Sequence, residues 1–297
     1  MKLMRVGPPG AERPALYCAE GKLRDLSGHA TEIGGTGLEP AALDRLRALD
    51  PTTLPQLNGS QRIGPCVGRP GKIVCVGLNY HDHAKEIGMA APEEPVLFSK
   101  ATSSLSGPND DIEMPRDAHA LDYEVELAVI IGSRARYVSE GAALAHVAGY
   151  AAFNDLSERT HQTQRGGQWM KGKSHDGFGP LGPWLVTADE VANPQALDLV
   201  LTVNGTPRQT GNTAAMIFPI PALIAYISGF MTLEPGDIIA TGTPAGVAMG
   251  MSEPAWLQPG DVLEIAVAGL GTQRCRILPA VCPTLWRGDA RGQGRAV

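Results

Sequence analysis

The run Asp122 to Gly132, DYEVELAVIIG, constrains this chain more than any other stretch. As a β-strand its side chains alternate, so Glu124, Glu126 and Ala128 share one face while Tyr123, Val125, Leu127, Val129 and Ile131 share the other. Leu127 to Ile131 is wholly apolar, so the strand enters a core instead of following a surface. Two carboxylates about 7 Å apart along the backbone then stand at the entrance to that core. They require a cation, a basic side chain or a proton. An isolated E-x-E is most often an exposed pair facing lysines. The company this pair keeps along the chain favours the buried reading.

The frame around that strand is β-rich. There are 36 glycines and 24 prolines among 297 residues, and aromatics make up only 5%, a balance that predicts many turns and short strands and not a helical bundle. Residues 1–65 read as a small leading α+β module. Short strands are expected at Met1 to Val6 and Pro14 to Tyr17, and a helix over Ala41 to Leu49. A glycine- and proline-rich linker follows from Ile63 to Gly71. Residues 70–282 read as the catalytic domain and 283–297 as a polar tail. The net charge of −6, with no block of like charge, gives no footing for nucleic acid or an anionic membrane as partner. Five scattered cysteines without a C-x-x-C pair read as reduced thiols in the cytoplasm. The basic start MKLMRVGPPG lacks the apolar segment of a secretory signal. The charge-free stretch Thr213 to Leu233 is broken by Pro219 and Pro221. It reads as a buried helix from near Pro221, with Leu223, Ile224, Ile227 and Phe230 inward, and not as a membrane span.

Three further stretches carry chemistry. Lys72 to Gly77 is a buried strand that opens into LNYHDHAKE, where His83 and Glu86 are one helical turn apart. A carboxylate beside an imidazole orients the ring and raises its basicity, as a general base for water requires. His81 is the rival within the same turn, and a solvated helix start with Asp82 near its cap is the plainer alternative. Val147 to Phe153 is another buried strand, ending at Asp155. That residue is either a helix N-cap or, with Glu124 and Glu126, a third oxygen ligand for Mg²⁺ or Mn²⁺. No Cys/His cluster competes for zinc. Gly166 to Gly182 is a glycine-rich loop bearing Lys171, Lys173, His175 and Asp176. Its GKS triplet has the wrong preceding glycine spacing for a phosphate loop. The Gly/Thr loop after Leu233, reaching Val247, offers hydroxyls and backbone N–H groups to an anion.

GLNYHDHAKE (77–86), DYEVELAVIIG (122–132), FNDLSERTHQ (153–162), KGKSHDGFGPLGPW (171–184) and ATGTPAGV (240–247) together resemble the fumarylacetoacetate hydrolase family, in the family's order, over roughly residues 70–280. The resemblance implies an α+β, β-rich fold, a mixed β-roll or barrel-like catalytic domain with the site at its mouth, in a homodimer. It implies Mg²⁺ or Mn²⁺ on Glu124, Glu126 and Asp155, and a water-activating dyad of His83 and Glu86. It also chooses His83 over His81. Lys173 and Gln162 fall on the family's catalytic lysine and glutamine, and Arg159 and Thr243 on its substrate-binding positions. The implied reaction is hydrolysis of the C3–C4 bond of a 2,4-diketo acid, a small 2-oxo acid substrate, giving pyruvate and a short acid. The segments 165–184 and 204–218 look most like members that cleave 2,4-diketo-3-deoxy sugar acids such as those from L-rhamnose or L-fucose. Acylpyruvate or fumarylpyruvate hydrolysis, and oxaloacetate decarboxylation or isomerisation at the same metal site, are the alternatives. Ser174 and His175 depart from the family's pattern beside the lysine.

Overall fold

The computed structural model describes residues 1–18 and 21–280; the expected tail, 283–297, and Cys282 lie outside them. A nine-stranded mixed sheet forms the centre. Its strand order is Leu23–Asp25, Arg13–Tyr17, Lys2–Val6, Leu185–Thr187, Val147–Asn154, Val125–Ile131, Ile238–Ala240, Ile73–Gly77 and Val96–Lys100. Val125–Ile131 lies inside this sheet, antiparallel to Val147–Asn154 on one side and to Ile238–Ala240 on the other.

Every residue of Val125–Ile131 is buried because both faces of the sheet are covered. Val125, Leu127, Val129 and Ile131 pack into one apolar cluster with Leu199, Leu201 and Ile265 of a second, five-stranded sheet and with Leu223, Ile224 and Ile227. That sheet runs Thr206–Asn212, Asp198–Val203, Val262–Val267, Gly271–Leu278 and Ile112–Glu113. Ala128 and Ile130 face the other way, into a cluster with Leu3, Leu38, Leu43 and Leu46. The alternation expected of this strand is the one observed.

Several boundaries move. The strand begins at Val125 and not at Asp122; Leu121–Asp122 instead pairs with Ser157–Glu158 as a separate two-stranded ladder. The early helix spans Pro40–Arg47 and buries Ala42, Leu43 and Leu46. The later helix spans Ile220–Phe230 and buries Leu223, Ile224 and Ile227, but Phe230, at its last position, is 68% exposed. Helical spacing placed Phe230 inward, yet the helix end projects past the core it covers. The expected strands of the leading segment are present, and Lys2–Val6 pairs with Leu185–Thr187 of the central sheet. Among the described residues, no helix is long and apolar enough to cross a membrane.

Candidate active site

The entrance end of Val125–Ile131 gathers charge that its sequence only half announces. Glu124, Glu126 and Asp155 each offer an oxygen, all within 4.8 Å of one another, and all three side chains are buried. Asp155 reaches this point because Val147–Asn154 runs antiparallel to Val125–Ile131 and ends beside it; the Asp155 N–H donates to Glu124 O at 2.9 Å. Asp155 is not a helix cap. The helix Arg159–Thr163 is capped by Glu158, whose carboxylate accepts from the His161 N–H.

Three buried cations meet these carboxylates. Lys173 donates to Glu124 Oε2 at 2.6 Å and to Asp155 Oδ2 at 2.8 Å. Lys100 donates to Asp155 Oδ1 at 2.5 Å and to Leu156 O. Arg159 spans Asp122 Oδ2 at 2.8 Å, Glu124 Oε1 at 2.6 Å and the amide oxygen of Gln162 at 3.0 Å. Four carboxylates, with Asp122 included, thus face three cations.

The imbalance falls on Glu126. Its oxygen accepts from the Gly242 N–H at 2.9 Å, and among the described residues no side chain donates to it. Burial and the charges of Asp155 and Glu124 push the Glu126 carboxyl well above the usual carboxylate range. Burial also acts on Glu124, but Lys173, Arg159 and His83 outweigh it and hold that carboxyl at about 2. A divalent cation would answer that imbalance. The donors are all hard oxygens, so Glu124, Glu126 and Asp155 fit Mg²⁺ or Mn²⁺.

On the opposite wall, the helix His81–Glu86 turns His83 Nδ1 toward Glu86 Oε2 at 3.4 Å. Both Glu86 oxygens accept from the Gly246 N–H, at 2.9 and 3.1 Å. Gly246 has φ +109°, and a Cβ there would lie 2.0 Å from Arg208 O, so no other residue presents that N–H in the same way. With Nδ1 facing Glu86, the other ring nitrogen of His83 is the one available to a molecule in the cavity.

His83, Glu124, Glu126, Arg159, Gln162, Lys173 and Thr243 line one cavity of about 130 Å³. Asp155 and Glu86 stand behind its wall. Thr243 is held by its own bonds, donating to Val125 O at 2.9 Å and accepting from Gln209 at 2.7 Å. His81 does not line the cavity. Lys171 is exposed, with its ammonium on Arg165 O.

Sequence reasoning passed over Lys100, Asp122 and Gln209. The only signal for Lys100 was its place at the end of an apolar strand adjoining Ile73–Gly77. Asp122 also accepts from the Ala248 and Met249 N–H groups, tying the loop after Thr243 to Arg159.

The family model described as fumarylacetoacetate (FAA) hydrolase C-terminal matches residues 72–278. The chain belongs to this family. A Burkholderia multivorans protein is 55% identical over 274 residues, covering 92% of this chain and 97% of its own. Among solved structures, maleylpyruvate hydrolase from Sphingobium sp. SYK-6, in complex with manganese(II) and pyruvate, is 30% identical with a TM-score of 0.77, covering 95% of this chain and 100% of that one. A 5-carboxymethyl-2-hydroxymuconate delta-isomerase from Mycobacterium smegmatis is 31% identical with a TM-score of 0.74 and the same coverage. The family likeness therefore supports an enzyme with a divalent metal and a small-molecule substrate. It embraces both hydrolysis and isomerisation.

Proposed function

We propose that this family member is a metal-dependent hydrolase that cleaves the C3–C4 bond of a 2,4-diketo acid to pyruvate and a second acid. The observation that carries the reading is the His83–Glu86 pair facing the carboxylate cluster across one cavity. An isomerase or decarboxylase needs the cluster but no water-activating base.

A cation on Glu124, Glu126 and Asp155 would supply Lewis-acid polarisation of the 2-oxo end of the substrate. The rest of the work falls to the chain. Arg159 and the Gln162 amide, at the cavity floor, bind and orient the carboxylate end. His83, steered by Glu86, takes a proton from water, whose oxygen bonds to C4. The C3–C4 bond breaks with its electron pair going to C3, and C3 then takes up a proton to complete pyruvate. Lys173 places a fixed positive charge where negative charge develops on oxygen.

Resemblance in the 165–184 and 204–218 segments puts 2,4-diketo-3-deoxy sugar acids among the substrates to try, beside acylpyruvates and oxaloacetate. The test is pyruvate release from each, with EDTA and with Mg²⁺ or Mn²⁺ restored. Metal-dependent pyruvate with an equimolar acid from a diketo acid is the expected result. Carbon dioxide from oxaloacetate, with no diketo acid cleaved, would overturn the hydrolase reading.

A further inference from the structure

The cavity has two chemically distinct ends. Beyond the charged floor the wall is mostly apolar and includes Leu78, Ile87, Met89, Phe98, Trp169 and Met249. The Lys173 ammonium lies 5.1 Å from the centre of the Phe98 ring, and Phe98 packs edge-on to Trp169 at 5.4 Å. These two rings therefore mark the boundary at which the polar end gives way to the apolar one. Met89 and Met249 stand at its outer part, 51% and 40% exposed, too exposed to be explained as core.

Few polar groups remain for a hydroxylated tail. The Thr163 hydroxyl donates to Arg159 O, and Thr243 has both partners described above. The Gln162 amide oxygen is taken by Arg159. Besides the amide NH₂ of Gln162 and one nitrogen of His83, both on the reacting side, the apolar wall's own open side-chain donor among the described residues is the Trp169 indole N–H, too little to serve several hydroxyls. A chain carrying several hydroxyls would surrender their water and find carbon and sulfur in exchange.

We propose that this wall selects an apolar, uncharged acyl tail, so that the diketo acid cleaved is an acylpyruvate with a hydrocarbon acyl group and not a polyhydroxy sugar acid. The inference rests on the hydrolase reading for the reaction, but on the wall alone for the preference. Two thioether side chains, flexible and polarizable, accommodate hydrocarbon tails of differing length. Among the described residues, no basic side chain lines this apolar part of the wall to meet a second carboxylate at the far end.

Binding and turnover separate the two claims. With the Mn²⁺-loaded full chain, calorimetry compares 2-oxohexanoate with a 2-oxo-3-deoxyhexonate of equal chain length; neither has the 4-oxo group at which water adds. The hydrocarbon ligand is expected to bind at least about ten-fold more tightly. Met89→Thr and Met249→Thr, at exposed positions and with the backbone N–H of residue 249 still free to donate to Asp122, are expected to narrow that gap. Equal or tighter binding of the hydroxylated acid, no binding of either, or a gap unmoved by both variants overturns the proposal. In parallel, pyruvate release is compared between hexanoylpyruvate and a 2,4-diketo-3-deoxyhexonate. If neither is cleaved while the binding preference holds, the hydrolase reading fails and the apolar subsite stands.

Discussion

Lys100 shows what a single buried charge does here. Its ammonium and the Asp155 carboxylate it holds are both fully shielded from solvent. Removing one partner of such a pair costs about 3–5 kcal/mol where the other is stranded, and about 3 kcal/mol is expected here because Lys173 still donates to Asp155. Lys100→Met is expected to lose that much stability in urea unfolding, and Mn²⁺ is expected to restore more to the variant than to the parent, because it supplies the missing positive charge. His83 is a different case: it donates to none of the three clustered carboxylates. His83→Ala should therefore lower turnover by about 10²–10⁴ while calorimetry finds Mn²⁺ affinity nearly unchanged; loss of both would remove His83 from the role of base. Far from the site, Glu12 accepts from Arg62 at 2.9 Å and from Arg5 at 3.4 Å. Burial raises its carboxyl, but the Arg62 hydrogen bond and the two guanidinium charges outweigh that and leave it below the ordinary 4.5. Its stabilisation is thus fully present above that ordinary value and disappears as pH falls through the lower folded one. Glu12→Gln should cost about 1.5 kcal/mol at neutral pH and flatten the acid side of the stability profile, as read by denaturation at a series of pH values.

At the scale of elements, the central strand was legible because a period of two is imposed by backbone geometry, and Glu124 and Glu126 break an apolar run on a single face. The helix Ile220–Phe230 was legible for the same kind of reason, through Leu223, Ile224 and Ile227. Lys100 was not. A lysine ending an apolar strand reads the same whether it turns to water or to a carboxylate, and Asp155 is 55 residues away. Nor could spacing reveal that the backbone leaves the central sheet at Asp122 to pair with Ser157. The loop Thr241 to Gly250 shows how such local choices govern the site. Gly242 and Gly246 aim N–H groups at Glu126 and Glu86, and a Cβ on Gly250 would lie 2.3 Å from the Glu86 carboxyl carbon. That neighbour is the end of a flexible side chain, so Gly250→Ala should fold with a melting temperature close to the parent's. Glu86 must swing aside, and His83 loses its orienting partner. Turnover is expected to fall by about 10²; an unchanged rate would mean that Glu86 does not steer the ring.

At the scale of the whole molecule, the question is whether the leading segment is a module or a part of the core. Leu23–Asp25, Arg13–Tyr17 and Lys2–Val6 extend the same sheet that carries Glu126. Leu3, Leu16, Leu38, Leu43 and Leu46 share one apolar cluster with Ala128, Ile130, Ala148 and Ala151 of its central strands. The Glu126 side of Val125–Ile131 is therefore roofed by residues from the first third of the chain. Composition hid this, because a pairing such as Leu3 with Leu185 joins segments on either side of the site and leaves no local trace. A fragment beginning at residue 70 would open Leu185–Thr187 as a sheet edge and bare the cluster beneath Ala128 and Ile130, both of which favour aggregation. We expect that fragment to be insoluble or to unfold without a cooperative transition, and to bind Mn²⁺ weakly, because the carboxylates lose the rigid strand that converges them. A soluble fragment with one sharp urea transition and parental Mn²⁺ affinity would establish the leading segment as a dispensable module instead.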